Sequence, residues 1–373
     1  MLVSALAFPP LAAASEPSKM GASGESVGIV ADTADGRLAT DLADLLAHER
    51  MQVLPVFGRG PMQDVDELLH AKGIGFAILP SDIFADLRRS PLLPEAMARI
   101  RLVLKIYDKQ FHLLARNDIR EASTLTGRKV GFGMRGSANA LTATTVFEAL
   151  GIQPEPVYGD EQLQLAQLRN GQLAAVALIA AAPIVALQDI NREQGVHFLA
   201  VPHTARLSAF YQAAALRPEE YPLLVGEGEA GRGAPVPTVA LSMVIAAYDF
   251  AAGSPREAAS AHFVRSLFAN FPALLAPSRD PRWRQADRNA ALPGWIKYSP
   301  AAVTAGAPTS KKLGTRAPAP LKSSENPEKM FQDFLRWQHS QAEETGRSDG
   351  GSGTSKDPGE LFQEFLRWQR THD

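Results

Sequence analysis

The chain contains no cysteine, which excludes disulfides, thiolate nucleophiles and cysteine-based zinc sites, and suits an oxidising compartment without establishing one. It also lacks an excess of charge of either sign. With 38 Lys and Arg against 40 Asp and Glu the formal net charge is -2, so no nucleic-acid partner is expected, because such proteins gather cations on one face. No apolar run approaches the roughly 20 residues of a membrane-spanning helix, and the mature chain is expected to be soluble. The 8 histidines form no His-x-x-x-His or His-Glu-x-x-His pair, and no Gly-x-Ser-x-Gly nucleophile elbow occurs. Gly131, Gly133 and Gly136 have the spacing of a dinucleotide-binding loop, but no acidic residue ends a clear following strand. No catalytic residue, metal site or cofactor is therefore assigned.

What is present is a chain of 373 residues, 45% hydrophobic and 21% charged, long enough to bury one or two cores. From Ser26 onward strand patterns alternate with helical ones, as in an α/β sheet with mostly parallel pairing. Strands are expected at 27–31, 51–57, 75–79, 111–115, 129–132, 173–179, 198–201 and 238–246. Helices are expected at 38–48, around 65–69, after Ser137, and at 161–170, 217–224 and 255–275. Asp160 reads as a helix cap ahead of 161–170, or as a ligand contact, and His112 as a packed strand residue.

In open α/β sheets ligands sit beyond the carboxyl ends of strands. Gly58-Arg59-Gly60, Pro80-Ser81-Asp82 and residues 180–183 occupy such ends, which turns Arg59 and Ser81 toward a cleft. A plainer reading stands beside this one. The glycines supply positive φ to a turn, and Ser81 or Asp82 caps the next helix.

Residues 111–151 carry the most information. A strand leads through a loop to a second strand, then to a glycine-flanked turn ending in Ser137, and then to a helix rich in Ala, Thr and Leu. The first N–H groups of a helix have no partner inside it and carry the positive end of its dipole. Gly133 and Gly136 let the backbone approach a ligand, Ser137 offers a hydroxyl and Arg135 a charge, so the turn suits a carboxylate. Alternatively, Ser137 only caps the helix.

The segments LPVFGRGPMQDVDELLHAKGIGFAILPSD (54–82), IRLVLKIYDKQFHLLAR (100–116), DIREASTLTGRKVGFGMRGSANALTA (118–143) and LPGWIKYSP (292–300) resemble, in this order, the TAXI-type solute-binding subunits of TRAP transporters. The resemblance covers about residues 26–300. It implies a two-lobed α/β fold of the type II periplasmic-binding-protein kind, with a hinge and a central cleft. Lobe 1 would comprise 26–114 and 238–300, and lobe 2 would comprise 115–237, with rotation absorbed near Phe111 and Thr238. It implies a ligand site drawn from Gly58, Arg59, Ser81, Asp82, Tyr107, Arg135, Gly136, Ser137, Ala138 and Asn139, with Tyr107 either closing over the ligand or packed in the core. The implied partners are a small solute, an organic acid or amino acid, and a TRAP-type membrane permease; the implied location is the periplasm. Three features depart from the family. The loop after the first strand reads Asp32-Thr33-Ala34-Asp35-Gly36-Arg37, the clamp reads Gly-Ser-Ala-Asn, and residues 180–182 are all alanine. They remove polar contacts and add two carboxylates.

Residues 1–14 have the apolar run and Ala12-Ala13-Ala14 pattern of an export signal but no cationic start, so either translation begins further upstream or the segment is not a signal. Residues 301–325 have the composition of a linker that cannot bury a core. A repeat follows, with copies at 326–341 and 357–371 joined by a spacer at 342–356. Each copy opens with a capping residue and a proline. Phe331, Phe334, Leu335 and Trp337, and again Phe362, Phe365, Leu366 and Trp368, fall on one broad helical face. Helices this short are marginal alone, so the faces either dock on their own domain or take a protein partner in a groove.

Overall fold

The computed structural model describes residues 25–90, 96–225 and 233–299. The export segment and both tail repeats, including Phe331, Phe334, Leu335, Trp337, Phe362, Phe365, Leu366 and Trp368, lie outside the described residues.

Three β-α units build the first half. Strand β1 (Glu25–Ala31) leads through a 3-10 turn into α1 (Gly36–Leu46), β2 (Met51–Phe57) into α2 (Pro61–His70), and β3 (Ile74–Pro80) into α3 (Ile83–Arg89). β1 pairs in parallel with both β2 and β3, so their carboxyl ends share one edge. Every residue of β3 is buried, as expected of a parallel strand covered on both faces. A short helix α4 (Ala96–Arg99) then enters β4 (Ile100–Arg116).

The second half repeats the scheme. β5 (Lys129–Gly131) leads to α5 (Ala138–Leu150), β6 (Glu155–Val157) to α6 (Glu161–Arg169), and β7 (Ala175–Ala180) to α7 (Val185–Gln188). β5 pairs in parallel with β6 and β7. β8 (Val196–Phe198) and β9 (Gln212–Leu216) are short edges on β4 and β10 (Val236–Tyr248), and α8 (Pro255–Asn270) returns to the first half. The described strands form one mixed sheet in the order β2-β1-β3-β10-β4-β7-β5-β6, so the two long antiparallel strands β4 and β10 join the two parallel triplets. This is an α/β fold.

One buried apolar cluster runs through both halves, from Leu38, Leu42 and Phe76 through Tyr107, Phe111 and Met243 to Val130 and Phe147. Separate clusters cover the opposite face of each half. Phe76 stacks on Phe263 at 3.9 Å between ring centres, and Phe84 lies 4.5 Å from Trp295, which fixes α8 and the segment around Trp295 against the first half. Among the described residues no helix is long and apolar enough to cross a membrane.

Several expectations need correction. The strand expected at 111–115 is the last part of the 17-residue β4, whose polar centre Asp108-Lys109-Gln110 hides its continuity. No helix forms at 217–224. Pro222 there lacks an N–H, and the segment runs as hydrogen-bonded turns that still bury Tyr221 and Leu224. α8 stops at Asn270, where Pro272 cannot continue it and a 3-10 turn, Phe271–Leu275, takes over. The strand expected at 198–201 lies at Val196–Phe198.

Candidate ligand cleft

Register places the strand ends of the two halves close together. β3 ends at Pro80 opposite Met243, while β7 ends at Ala180 opposite Gln110, which pairs with Ala240, only three positions from Met243. The loops leaving the carboxyl edges of both triplets therefore face one another across the middle of β4 and β10.

The β5–α5 turn is rigid. Gly133 and Gly136 have φ of 71° and 78°, and a Cβ at Gly133 would stand 2.8 Å from Asn139 Nδ2. Buried Gln164 accepts the Gly133 N–H at 2.9 Å and donates to the Val157 carbonyl at 2.9 Å. Ser137 caps α5 by accepting the Ala140 N–H at 3.2 Å. Asn139 is spent on structure, donating to the Ala177 carbonyl at 2.9 Å and accepting the Ile179 N–H at 2.6 Å, which locks the start of α5 to β7. Ala138 opens the helix half-exposed, and Arg135 projects beside it with its guanidinium 4.0 Å from the centre of the Tyr158 ring. The turn thus offers a cation beside a helix N-terminus.

From the first half, the β2–α2 loop meets this turn backbone to backbone. Gly60 has φ 125°, and a Cβ there would stand 2.5 Å from the Gly136 carbonyl oxygen. Gly58 is required because Asp64 fills the space of its missing side chain. Asp64 accepts the Arg59 N–H at 3.0 Å; burial pushes its carboxyl up to about 6 against that hydrogen bond. The Arg59 side chain is 68% exposed and lies 3.3 Å from Glu67.

Ser81 and Asp82 do different work. Ser81 extends the β3–β10 pairing, donating its N–H to the Ser242 carbonyl at 2.8 Å and accepting the Ser242 N–H on Oγ at 3.0 Å. Asp82 does not cap α3 with its side chain. It is buried between the halves, where Oδ2 accepts from Thr142 Oγ1 and from the Tyr211 hydroxyl, both at 2.8 Å. Burial holds its carboxyl above the ordinary range, against those two bonds. Next to it, Arg89 bonds Asp86, Thr145 at 2.8 Å and Glu148 at 2.7 Å, joining α3 to α5.

A charged crevice flanks the crossing strands. Asp35 is fully buried and accepts from the Tyr107 hydroxyl at 2.6 Å and Arg282 Nη1 at 2.7 Å, with Lys109 Nζ at 3.4 Å. Of the two readings of Tyr107, packing holds: it is 1% exposed and lies under Arg282. Across the crevice, Asp160 caps α6 through the Leu163 N–H at 3.0 Å, as one of its two readings expected. Glu161 keeps an exposed edge, yet partial desolvation and the charges of Asp160 and Asp32 raise its pKa, against Lys109. Lys109 thus shares its space with carboxylates from both halves.

His112 is a neutral link in the wall. Its Nδ1 faces the Gln110 carbonyl at 3.0 Å and Nε2 the Tyr221 hydroxyl at 2.7 Å, which in turn accepts the Ile184 N–H at 2.8 Å. Burial lowers its pKa to about 4. Gln110 Oε1 accepts the Ala182 N–H at 2.9 Å, so the alanine loop at 180–183 is held from β4 by its backbone.

Thr142, Tyr211, Lys109, Gln110 and Ser242 were not singled out from sequence. Thr142 lies one turn beyond Ala138 on α5, a spacing that signals a shared face. Tyr211 and Ser242 carry no such local signal, because only the sheet brings them to Asp82 and Ser81.

The profile of the NMT1-like family matches residues 38–274. A comparison with curated protein sequences returns no match. Among solved structures, a TctC solute-binding protein from Polaromonas is 15% identical with a TM-score of 0.39, the match covering 67% of this chain and 88% of that one. The putative periplasmic sulfonate-binding protein SsuA from Methylobacillus flagellatus is 14% identical with a TM-score of 0.43, over 75% and 76%. SsuA from Escherichia coli, a periplasmic aliphatic sulphonate binding protein, is 16% identical with a TM-score of 0.41, over 68% and 74%.

Proposed function

As the chain belongs to the NMT1-like family, we propose that it is an extracytoplasmic solute receptor that captures a small molecule between two lobes and delivers it to a membrane permease, without turning it over. The lobes are 26–114 with 238–300, and 115–237, hinged on β4 and β10. The observation that carries this reading is the meeting of the Gly58–Gly60 loop with the Gly136 turn across those strands. Rotation about two strands would part these loops and admit a solute.

The solute bears a carboxylate, held at the N-terminus of α5 by Ser137 and the Ala138 amide and neutralised by Arg135. Asp32 from the first half and Asp160 and Glu161 from the second add negative charge beside the crevice and favour an ammonium group, so an amino acid fits this cleft better than a dicarboxylate. The ordered segments shared with TAXI subunits support a TRAP-type permease and a periplasmic location. The test is native mass spectrometry of the purified protein for a co-purifying molecule, followed by calorimetry on wild type, Ser137→Ala and Arg135→Ala. A bound carboxylate weakened about tenfold or more by either variant supports the reading, and indifference of both variants overturns it.

The near-identical tail repeats favour a second reading, a ligand-sensing module that recruits a protein partner through Trp337 and Trp368. Deleting 326–373 would abolish complex formation on this reading and leave solute affinity unchanged.

A further inference from the structure

On the first half, at the edge opposite the strand-end loops, a cavity of about 210 Å³ opens between the start of β1, the start of β3 and α8. Its inner end is made by Val27, Gly75, Phe250 and Ser260. A Cβ at Gly75 would stand 2.7 Å from Val27 Cγ2, 3.6 Å from Ser260 Oγ and 3.9 Å from Phe250, so only glycine leaves this end open. Ser260 is 1% exposed, and its hydroxyl has no hydrogen-bond partner among the described residues. A buried hydroxyl without a partner is costly, and each such group calls for an explanation.

The mouth is cationic. Lys72 and Arg256 line the cavity, and no carboxylate does among the described residues. Arg256 is held in place, its Nη2 donating to the carbonyls of Ala71 at 3.3 Å and Ile74 at 2.9 Å while the guanidinium lies 4.3 Å from the centre of the Phe250 ring. Nε and Nη1 are the donors left for a ligand. The cavity also adjoins the first turns of α8, the positive end of a 16-residue helix. Between mouth and inner end the walls are largely apolar, with Val27, Ile74, Phe250 and Ala259.

We propose that this cavity is a second binding site, for a small planar carboxylate with a hydrogen-bonding group at its far end. The carboxylate meets Lys72 and Arg256, the body lies along the apolar wall, and the far group satisfies the Ser260 hydroxyl. A planar body suits an inner end on which three side chains converge so closely. The site is independent of the cleft and does not depend on the identity of the transported solute.

The probes are 4-hydroxybenzoate and benzoate, titrated calorimetrically into the full chain as wild type, Ser260→Ala, Lys72→Met and Arg135→Ala. In wild type 4-hydroxybenzoate binds one to one and about tenfold more tightly than benzoate. Ser260→Ala erases that preference without unfolding the protein, since it removes a hydroxyl that makes no internal bond. Lys72→Met weakens both probes about tenfold, and Arg135→Ala, in the cleft, weakens neither. The proposal is overturned if wild type binds neither probe at millimolar concentration, if Ser260→Ala keeps the preference, or if Arg135→Ala abolishes binding and so moves the probes to the cleft.

Discussion

Tyr211 donates its hydroxyl to Asp82 at 2.8 Å across 129 positions of chain, joining the end of β3 to the segment that enters β9. Thr142 on α5 donates to the same oxygen, so one buried carboxyl gathers three elements. Tyr211→Phe keeps the ring and removes one donor. It is expected to lower stability by about 1–2 kcal/mol, read by urea unfolding. An effect within 0.3 kcal/mol, about the error of such comparisons, would mean that the bond contributes nothing.

Asp86 sets a pH dependence. Burial, then the Asp82 charge, raise its carboxyl from 3.8 to about 6 despite the Arg89 ion pair. A raised folded pKa means that its contribution is fully present below the unfolded value and is lost as pH rises through about 6. Relative to Asp86→Asn, wild type is expected to lose up to about 3 kcal/mol between pH 4 and pH 7. Asp64 titrates in the same window but is present in both proteins and cancels, so the difference reads Asp86 together with the neighbouring Asp82 carboxyl coupled to it.

His112 acts in the opposite sense. Its folded pKa is depressed from 6.5 to about 4 by burial, so its contribution is present above 6.5 and is lost as pH falls toward 4. The stability difference between wild type and His112→Gln is expected to shrink by about 2–3 kcal/mol from pH 7.5 to pH 4. A constant difference would show that the histidine keeps its ordinary pKa in the folded protein.

Much of the fold was legible because local pattern and tertiary role agree. The strand at 51–57, the helix caps at Ser137 and Asp160 and the buried run before residue 180 were read from pattern alone. What was hidden lies where the two disagree. Asp108, Lys109 and Gln110 look like a break in β4, but the fold supplies their partners: Lys105 and Ser242 for Asp108, Asp35 for Lys109 and the Ala182 N–H for Gln110. β9, Gln-Ala-Ala-Ala-Leu, has neither β-branched residues nor alternation, so its pairing with β10 is purely tertiary. The strand-end loops were legible; the partners of individual side chains were less so. Asn139 bonds the backbone of β7 and Arg59 lies beside Glu67, partners that sequence does not show.

That account of Asn139 is itself testable. Asn139→Ala strands the Ala177 carbonyl and the Ile179 N–H, and should cost about 2–4 kcal/mol by urea unfolding, well beyond an ordinary surface change. A cost below about 0.5 kcal/mol would show that water replaces both bonds.

Gly60→Ala tests the meeting of the two loops. A methyl 2.5 Å from the Gly136 oxygen, on a backbone with φ 125°, should keep the loops apart. Solute affinity should fall by about tenfold or more, beyond what the loss of stability explains.

The central claim is that two halves close on a solute. The absence of native cysteine permits spin labels at two introduced ones, at His70 on α2 and Gln153 beyond α5, both exposed. Their distance distribution would be measured by pulsed electron resonance across a panel of amino acids and dicarboxylates. The account predicts a broad or double distribution in free protein that collapses onto the short distance with one class of solute, and fails to do so in Arg135→Ala. A distribution unchanged by every compound would contradict it.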